Sequence, residues 1–368
     1  MANQEKFPAE PWRRNASAWG LLIALTVALC ILLEALRLPA ASLLGAIVAA
    51  VVVAMRETRV HLPASLFIGA QSVIGCMIAR PFTIHVMRGL LDNWLLAMSI
   101  VIVVIVCGFA LGWLLTIRQV LPGTTGIWGS SPGAAMAMVL MCEAYGADMR
   151  LVAFMQYLRV IAVSLLAAGV GIGMGVDMPP SALFSLKALF PPTDWGAMLL
   201  TLVLALASAL LGHFTRIPAG ALLLPMVAAA LAHNTGLMTI ELPPWLLLLC
   251  FVLVGWCIGA RFDRPILVYA LRVLPKVLGA TLLLVFLCLV IAALLVYGAG
   301  LDPLTAYLAT SPGGLDAVAI IAFSSNADLV FVMAIQAARL FIVLLTGPYL
   351  AKVATRIVKK KLNGKAGG

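Results

Sequence analysis

Gly129-Ser130-Ser131-Pro132-Gly133 decides how this chain is read, because Ser-Pro-Gly returns as Ser311-Pro312-Gly313. Seventeen residues after each serine stands an aspartate, Asp148 and Asp328. Eight further on comes a glutamine (Gln156, Gln336), and three beyond that an arginine (Arg159, Arg339). Every pair is 180 residues apart, with no gap across the window. Self-similarity at a fixed offset marks a duplicated structural unit. A Ser-Pro-Gly breaker and a lone arginine, each inside apolar sequence, point to a membrane site built from broken helices.

Composition agrees. The chain has 368 residues, 64% of them hydrophobic and only 10% charged, with a mean hydropathy of +1.12. That is outside the range of a soluble domain and reads as a polytopic membrane protein. In such a chain the net charge of +10 is a matter of which loops carry the basic residues. Seven cysteines (Cys30, Cys76, Cys107, Cys142, Cys250, Cys257, Cys288) lie in apolar runs without CxxC spacing. They read as small buried hydrophobes, not as metal ligands or disulfides. The polar first 17 residues precede an apolar run long enough to span a bilayer, so an uncleaved first helix is expected in place of a signal peptide.

Working outward, apolar segments fall at about 18–36, 38–55, 62–79 and 93–115, followed by a Gly/Ser/Pro-rich break at 122–133. A short helix at about 132–145 and a long one at about 150–175 complete the first repeat. The second half follows suit at about 195–213, 217–234, 242–260 and 277–299, with a break at 300–312, a short helix at 312–325 and a span at 329–355. Smaller echoes hold the register: Arg37-Leu38-Pro39-Ala40 matches Arg216-Ile217-Pro218-Ala219, and Cys76 with Arg80 matches Cys257 with Arg261. The organisation expected is an N-terminal tail (1–17), repeat 1 (18–175), a linker (176–194), repeat 2 (195–356) and a basic tail (357–368).

Each short helix of about 14 residues rises about 21 Å, less than the roughly 30 Å hydrocarbon core. If it only dips in and returns, each repeat crosses five times, and an odd number inverts the second repeat relative to the first. With the N-terminus inside, 18 basic residues then fall on the cytoplasmic side. Among them are Arg56, Arg59, Arg118, Arg150, Arg261, Arg264 and Lys359-Lys360-Lys361. Only Arg37, Arg80, Arg88 and Lys187 fall outside. The bias has the required direction. The fold class expected is an all-α polytopic membrane protein of two inverted five-helix repeats, each with a re-entrant or broken Ser-Pro-Gly helix. The basic tail reads as a topology anchor, with anionic lipid or nucleic acid as the lesser alternatives.

Ser131 and Ser311 are expected to N-cap the short helices, with Pro132 and Pro312 in the first turn and Gly133 and Gly313 behind them. Two helix starts with unpaired N–H groups and partial positive charge suit an anionic substrate near the bilayer midplane. Arg159 and Arg339 lie too deep to reach the interface and cannot shed their charge. Each is a substrate ligand, a staple holding carbonyls freed at the breaks, or both, with Gln156 and Gln336 one turn before on the same face. Two acids break the symmetry: Asp316, where the first copy has Met136, and Glu143, where the second has Phe323. They are candidates for proton or sodium coupling, or for salt bridges to Arg339 and Arg159. Asp148 and Asp328 fit N-caps of the last helices, and Glu34 with Arg37 an interfacial pair. The four histidines have no metal-ligand spacing, and no GxxxxGK[ST] loop is present.

The segments Gly129–Met138, Gly146-Ala147-Asp148 and Gln156-Tyr157-Leu158-Arg159 resemble the AbrB-duplication membrane protein family, as do Ala309–Asp316, Gln336-Ala337-Ala338-Arg339 and Gly347-Pro348. The resemblance covers about 19–355 and implies a bacterial inner-membrane protein. Members carry regulator and ammonia monooxygenase labels. A monooxygenase needs a metal or flavin site whose ligands are missing from the sequence, and a direct regulator needs a DNA-reading domain that no loop is long enough to hold. The expected function is therefore non-enzymatic and cofactor-free: secondary transport of a small anionic or zwitterionic metabolite, coupled to protons or sodium. The alternative is a non-transporting membrane regulator. The partners expected are the substrate, the coupling ion and the lipid bilayer, with no nucleic acid and with a homodimer left open.

Overall fold

A computed structural model describes residues 16–36, 40–56, 62–84, 94–133, 135–173, 186–215, 219–313, 318 and 327–366. Among them there are helices and no strands. In the first half they are α1 (Ala16–Ala35), α2 (Ala41–Met55), α3 (Ala64–Ala79), α4 (Trp94–Ile117), α5 (Thr125–Ser130), α6 (Ala135–Cys142, extended by a 3-10 turn Glu143–Tyr145) and α7 (Met149–Gly173). After a four-residue helix, α8 (Leu186–Leu189), come α9 (Trp195–Phe214), α10 (Gly220–Asn234), α11 (Pro244–Gly259), α12 (Arg264–Ala299), α13 (Pro303–Thr310) and α14 (Leu329–Ala366). Five of the described helices are long and apolar enough to cross a bilayer, within α1, α4, α9, α12 and α14. Several shorter apolar helices accompany them. The protein is a multi-pass membrane protein.

The duplication is visible in the backbone. Ala40 and Ala219, the last residues of the matched Arg-x-Pro-Ala stretches, both adopt left-handed φ (54° and 55°) and precede α2 and α10. It is also visible in the packing, which survives exchange of the repeats. Helix α2 packs on α11 and its counterpart α10 on α3; α4 packs on α14 and its counterpart α12 on α7. Glycines permit the closest approaches: a Cβ on Gly75 would lie 2.5 Å from Leu222 O, and one on Gly259 2.4 Å from Ile47 O. Small residues at such crossings let helices gain dispersion contacts that lipid cannot offer.

Each turn after α3 and α11 is tied to the other repeat. Arg80 donates to Leu242 O (3.0 Å), two residues before α11 starts, and Asn234 donates to Phe82 O (2.6 Å). Arg261, the counterpart of Arg80, lies two residues beyond the far end of α11.

Three expectations need correction. The basic stretch 261–276 is helical from Arg264 onward. Asp263 caps α12 by accepting from Ile266 N (2.9 Å), with Pro265 in the first turn. The stretch is amphipathic: Ala270, Val273 and Val277 are buried against Leu115, Leu151 and Met155, while Arg264, Arg272 and Lys276 are exposed. That buried face carries the helix through Pro275. Helix α14 runs on to Ala366 through the basic tail. Finally, each Ser-Pro-Gly is preceded by a helix of its own, α5 and α13, where an irregular break was expected. Most of the second short helix expected at 312–325 (314–317 and 319–326, with Asp316) and Arg37 lie outside the described residues.

Candidate functional site

Proline organises the break. Steric clash with Pro132 and Pro312 keeps the preceding residue out of helical space. Ser131 (ψ 123°) and Ser311 (ψ 127°) are accordingly extended and end α5 and α13. The N-cap expectation for these serines is therefore corrected: they are C-caps of the helices before them, and their backbone carbonyls do the binding. Ser131 Oγ, in a residue 1% exposed, has no hydrogen-bond partner. Ser311 Oγ, equally buried, also makes no well-formed bond and lies beside the Tyr307 hydroxyl.

The arginines answer the carbonyls. Arg159 Nη1 donates to Ser131 O (2.7 Å), and its Nη2 to Gln156 Oε1 (2.6 Å) and, more weakly, Gly133 O (3.5 Å). Gln156 Nε2 donates to Trp128 O (2.7 Å) and Ser131 O (3.2 Å). Apart from a long bond from Arg159 Nη1 to Ser130 O (3.4 Å), the second copy repeats these bonds. Arg339 Nη1 donates to Ser311 O (2.7 Å), and Nη2 to Gln336 Oε1 (2.5 Å) and Gly313 O (3.5 Å). Gln336 Nε2 donates to Leu308 O (2.8 Å) and Ser311 O (3.3 Å). All four side chains are at most 3% exposed. Of the two roles left open for the arginines, the staple is what the bonds describe. Among the described residues, Arg159 Nε and Arg339 Nε remain without partners, as do Ser131 Oγ, Ser311 Oγ, Trp128 Nε1 and the Tyr307 hydroxyl.

The two staples meet. A Cβ on Gly133 would lie 3.1 Å from Val343 of α14, and one on Gly313 3.1 Å from Val163 of α7. Each repeat's last helix thus seats on the other repeat's break. Among the described residues no carboxylate pairs with either guanidinium.

The turn before α7 is secured separately. Asp148 N donates to Thr125 Oγ1 (3.2 Å) and Asp328 N to the matching Thr305 Oγ1 (3.0 Å). Asp328 caps α14 by accepting from Phe331 N (3.0 Å). Asp148 accepts from Arg150 N (2.9 Å) and pairs with its guanidinium (2.8 Å). Partial burial of Asp148 disfavours its charge, but the bonds to Arg150 outweigh that and hold its carboxyl below the usual range. Glu143 does not reach Arg159 as one expectation had it. It opens the 3-10 turn, half-exposed, and pairs with Arg261 of the other repeat (2.5 Å). Sequence reasoning missed Thr125 and Thr305, although they share the 180-residue offset.

A family model described as "Transition state regulatory protein AbrB" matches residues 42–355. The chain is 45% identical to "Putative regulator AbrB" of Escherichia coli (strain K12), covering 93% of this chain and 98% of that protein. It is 22% identical to "Uncharacterized protein YhjN" of Bacillus subtilis (strain 168), covering 80% of each. No solved structure matches.

Proposed function

This chain belongs to the AbrB family, and from that premise we propose that it is a secondary transporter. In this reading two inverted five-helix repeats move a small anionic or zwitterionic metabolite through the inner membrane, with both termini inside. The observation that carries the reading is the pair of buried guanidiniums at the crossing of the two breaks, bonded to neutral carbonyls and Gln oxygens. Among the described residues that charge is held by dipoles alone, which favours an anion at its open donors. Those donors are Arg159 Nε, Arg339 Nε and the Ser131 and Ser311 hydroxyls. Pro132, Pro312, Gly133, Gly313, Gln156 and Gln336 act by shaping and bracing the breaks. Asp316 is the acid assigned to proton or sodium coupling, ahead of Glu143, which is engaged with Arg261.

Inversion draws support from the placement of equivalent residues. Arg80 bonds next to the start of α11 and Arg261 follows its end, as a repeat and its upside-down copy require. Transport uses such symmetry to expose one site to each side in turn.

The test is accumulation of labelled carboxylates and amino acids in proteoliposomes under proton and sodium gradients. Ser131→Ala and Ser311→Ala keep the staple, so they should lose uptake while melting like the wild type. A second reading, a non-transporting regulator, is favoured by the name of the Escherichia coli relative and by staples that consume most of the arginine donors. Well-folded protein that moves none of these solutes under either gradient would sink the transporter and leave the regulator.

A further inference from the structure

At the end of the molecule carrying the 143–150 and 261–264 turns, a cleft of about 930 Å³ opens between the repeats. Its walls are apolar, with Met55, Leu62, Phe67 and Phe262, and its rim is charged. We propose that this cleft is a second binding site, separate from the breaks, for an amphipathic organic anion: a carboxylate or phosphate head on an apolar body.

Three observations carry it. The first is an available cation: Arg264, exposed on the rim, forms no ion pair or hydrogen bond among the described residues. The second is a cation that is cheaply released. Arg261 is held by Glu143, both side chains about half exposed (44% and 50%), and a solvated pair of that kind is weak. An incoming anion can take the place of Glu143 on Arg261, whose guanidinium lies 5.9 Å over the Phe67 ring and so stands next to the apolar wall. Arg150, by contrast, is committed to Asp148 and to Arg261 O (2.7 Å). The third is that the duplication accounts for only part of the rim: Asp148 and Arg261 have counterparts in Asp328 and Arg80. The 180-residue counterparts of Glu143 and Arg150 are Phe323 and Val330, so the acid that holds Arg261 and the arginine beside it have no charged equivalent in the other repeat. The volume lies in the range of small-molecule sites, and the lining sets the apolar wall beside three arginines (Arg150, Arg261, Arg264) and three acids (Glu143, Asp148, Asp263).

The experiment is calorimetric titration of the full chain in neutral phosphatidylcholine nanodiscs with hexanoate, acetate and hexanol. Hexanoate should bind, with acetate and hexanol far weaker. Arg264→Gln should weaken hexanoate about tenfold, the size of a lost charge-assisted bond. Glu143→Gln frees Arg261 and should tighten binding about threefold to fivefold, a gain that no misfolded variant can mimic. Hexanol binding as well as hexanoate, or Glu143→Gln bringing no gain, would overturn the site. Replacing the lipid by phosphatidylglycerol identifies the natural source: loss of hexanoate binding means the cleft takes a lipid headgroup, and unchanged binding means a free metabolite. Neither result depends on whether the chain transports.

Discussion

Val343 and Gly133 belong to different repeats, yet a Cβ on the glycine would lie 3.1 Å from the valine Cγ1. The mirrored contact, Val163 with Gly313, has the same spacing. Each break is therefore completed by a helix from the other half, and neither repeat holds a finished site alone. Substitutions at one staple should be felt at the other.

Gln156→Leu keeps the volume but removes both ends of the amide bridge. Arg159 Nη2 loses its best acceptor, and Trp128 O loses its side-chain donor. Leaving buried polar groups unpaired costs about 1–3 kcal/mol each, so a loss of about 2–5 kcal/mol is expected. Thermal unfolding in detergent measures it, and Gln336→Leu should match it within about 1 kcal/mol if the copies are equivalent. A large disparity would show that they are not.

Glycine should matter by position. At Gly259 a Cβ would lie 2.4 Å from Ile47 O, backbone that cannot move aside, whereas at Gly279 nothing lies within 4 Å. Gly259→Ala is expected to cost about 1–3 kcal/mol by overpacking. Gly279→Ala should gain about 0.5–1 kcal/mol from helix propensity. Equal melting temperatures for the two variants would contradict the α2–α11 interface.

Asp148 supplies the pH dependence. Its carboxyl lies below its ordinary value of 3.8 because of Arg150. A depressed pKa contributes stability that is present above the unfolded value and disappears as pH falls through the folded one. Melting temperature should therefore drop more steeply below about pH 4 in the wild type than in Asp148→Asn. The variant should be the less stable of the two at pH 7, and parallel curves would count against the assignment.

Side-specific labelling tests the inversion. Single cysteines at the exposed Ile84 and Arg264 positions should react with an impermeant maleimide from opposite faces of the membrane. Reaction of both from one face would remove the inverted topology, and with it the alternating-access reading.

What could be read in the sequence was whatever the duplication wrote twice. Ser131, Gln156 and Arg159 stood out because their partners recur at one offset, and the structure joins them into a single bonded unit in both copies. The capping role assigned to Ser131 failed because serine before proline is ambiguous: its hydroxyl suits a helix start, but its forced extended backbone equally ends a helix. Helix α5 was missed because Thr125–Ser130 has only six residues, rich in glycine and hydroxyls, and is held by burial rather than propensity. The start of α12 was missed because charge was taken as the mark of a loop, whereas Arg264, Arg272 and Lys276 occupy one solvated face of a helix. Glu143 found Arg261 rather than Arg159, a partner more than a hundred residues away that no local pattern announces.

The acceptors of each buried guanidinium all precede it in the chain: Ser131, Gly133 and Gln156 before Arg159, and Ser311, Gly313 and Gln336 before Arg339. During synthesis, then, the groups that shelter the charge have already left the ribosome when the arginine emerges. A lone arginine at the centre of a nascent span is resisted by the insertion machinery by about 2.5–3.5 kcal/mol. Here α5, α6 and α7 can enter the lipid as one hairpin with the guanidinium already engaged. The order of residues along the chain thus gives the first repeat a way past the insertion barrier before α14 has been made, whereas the second break meets an α7 already in place.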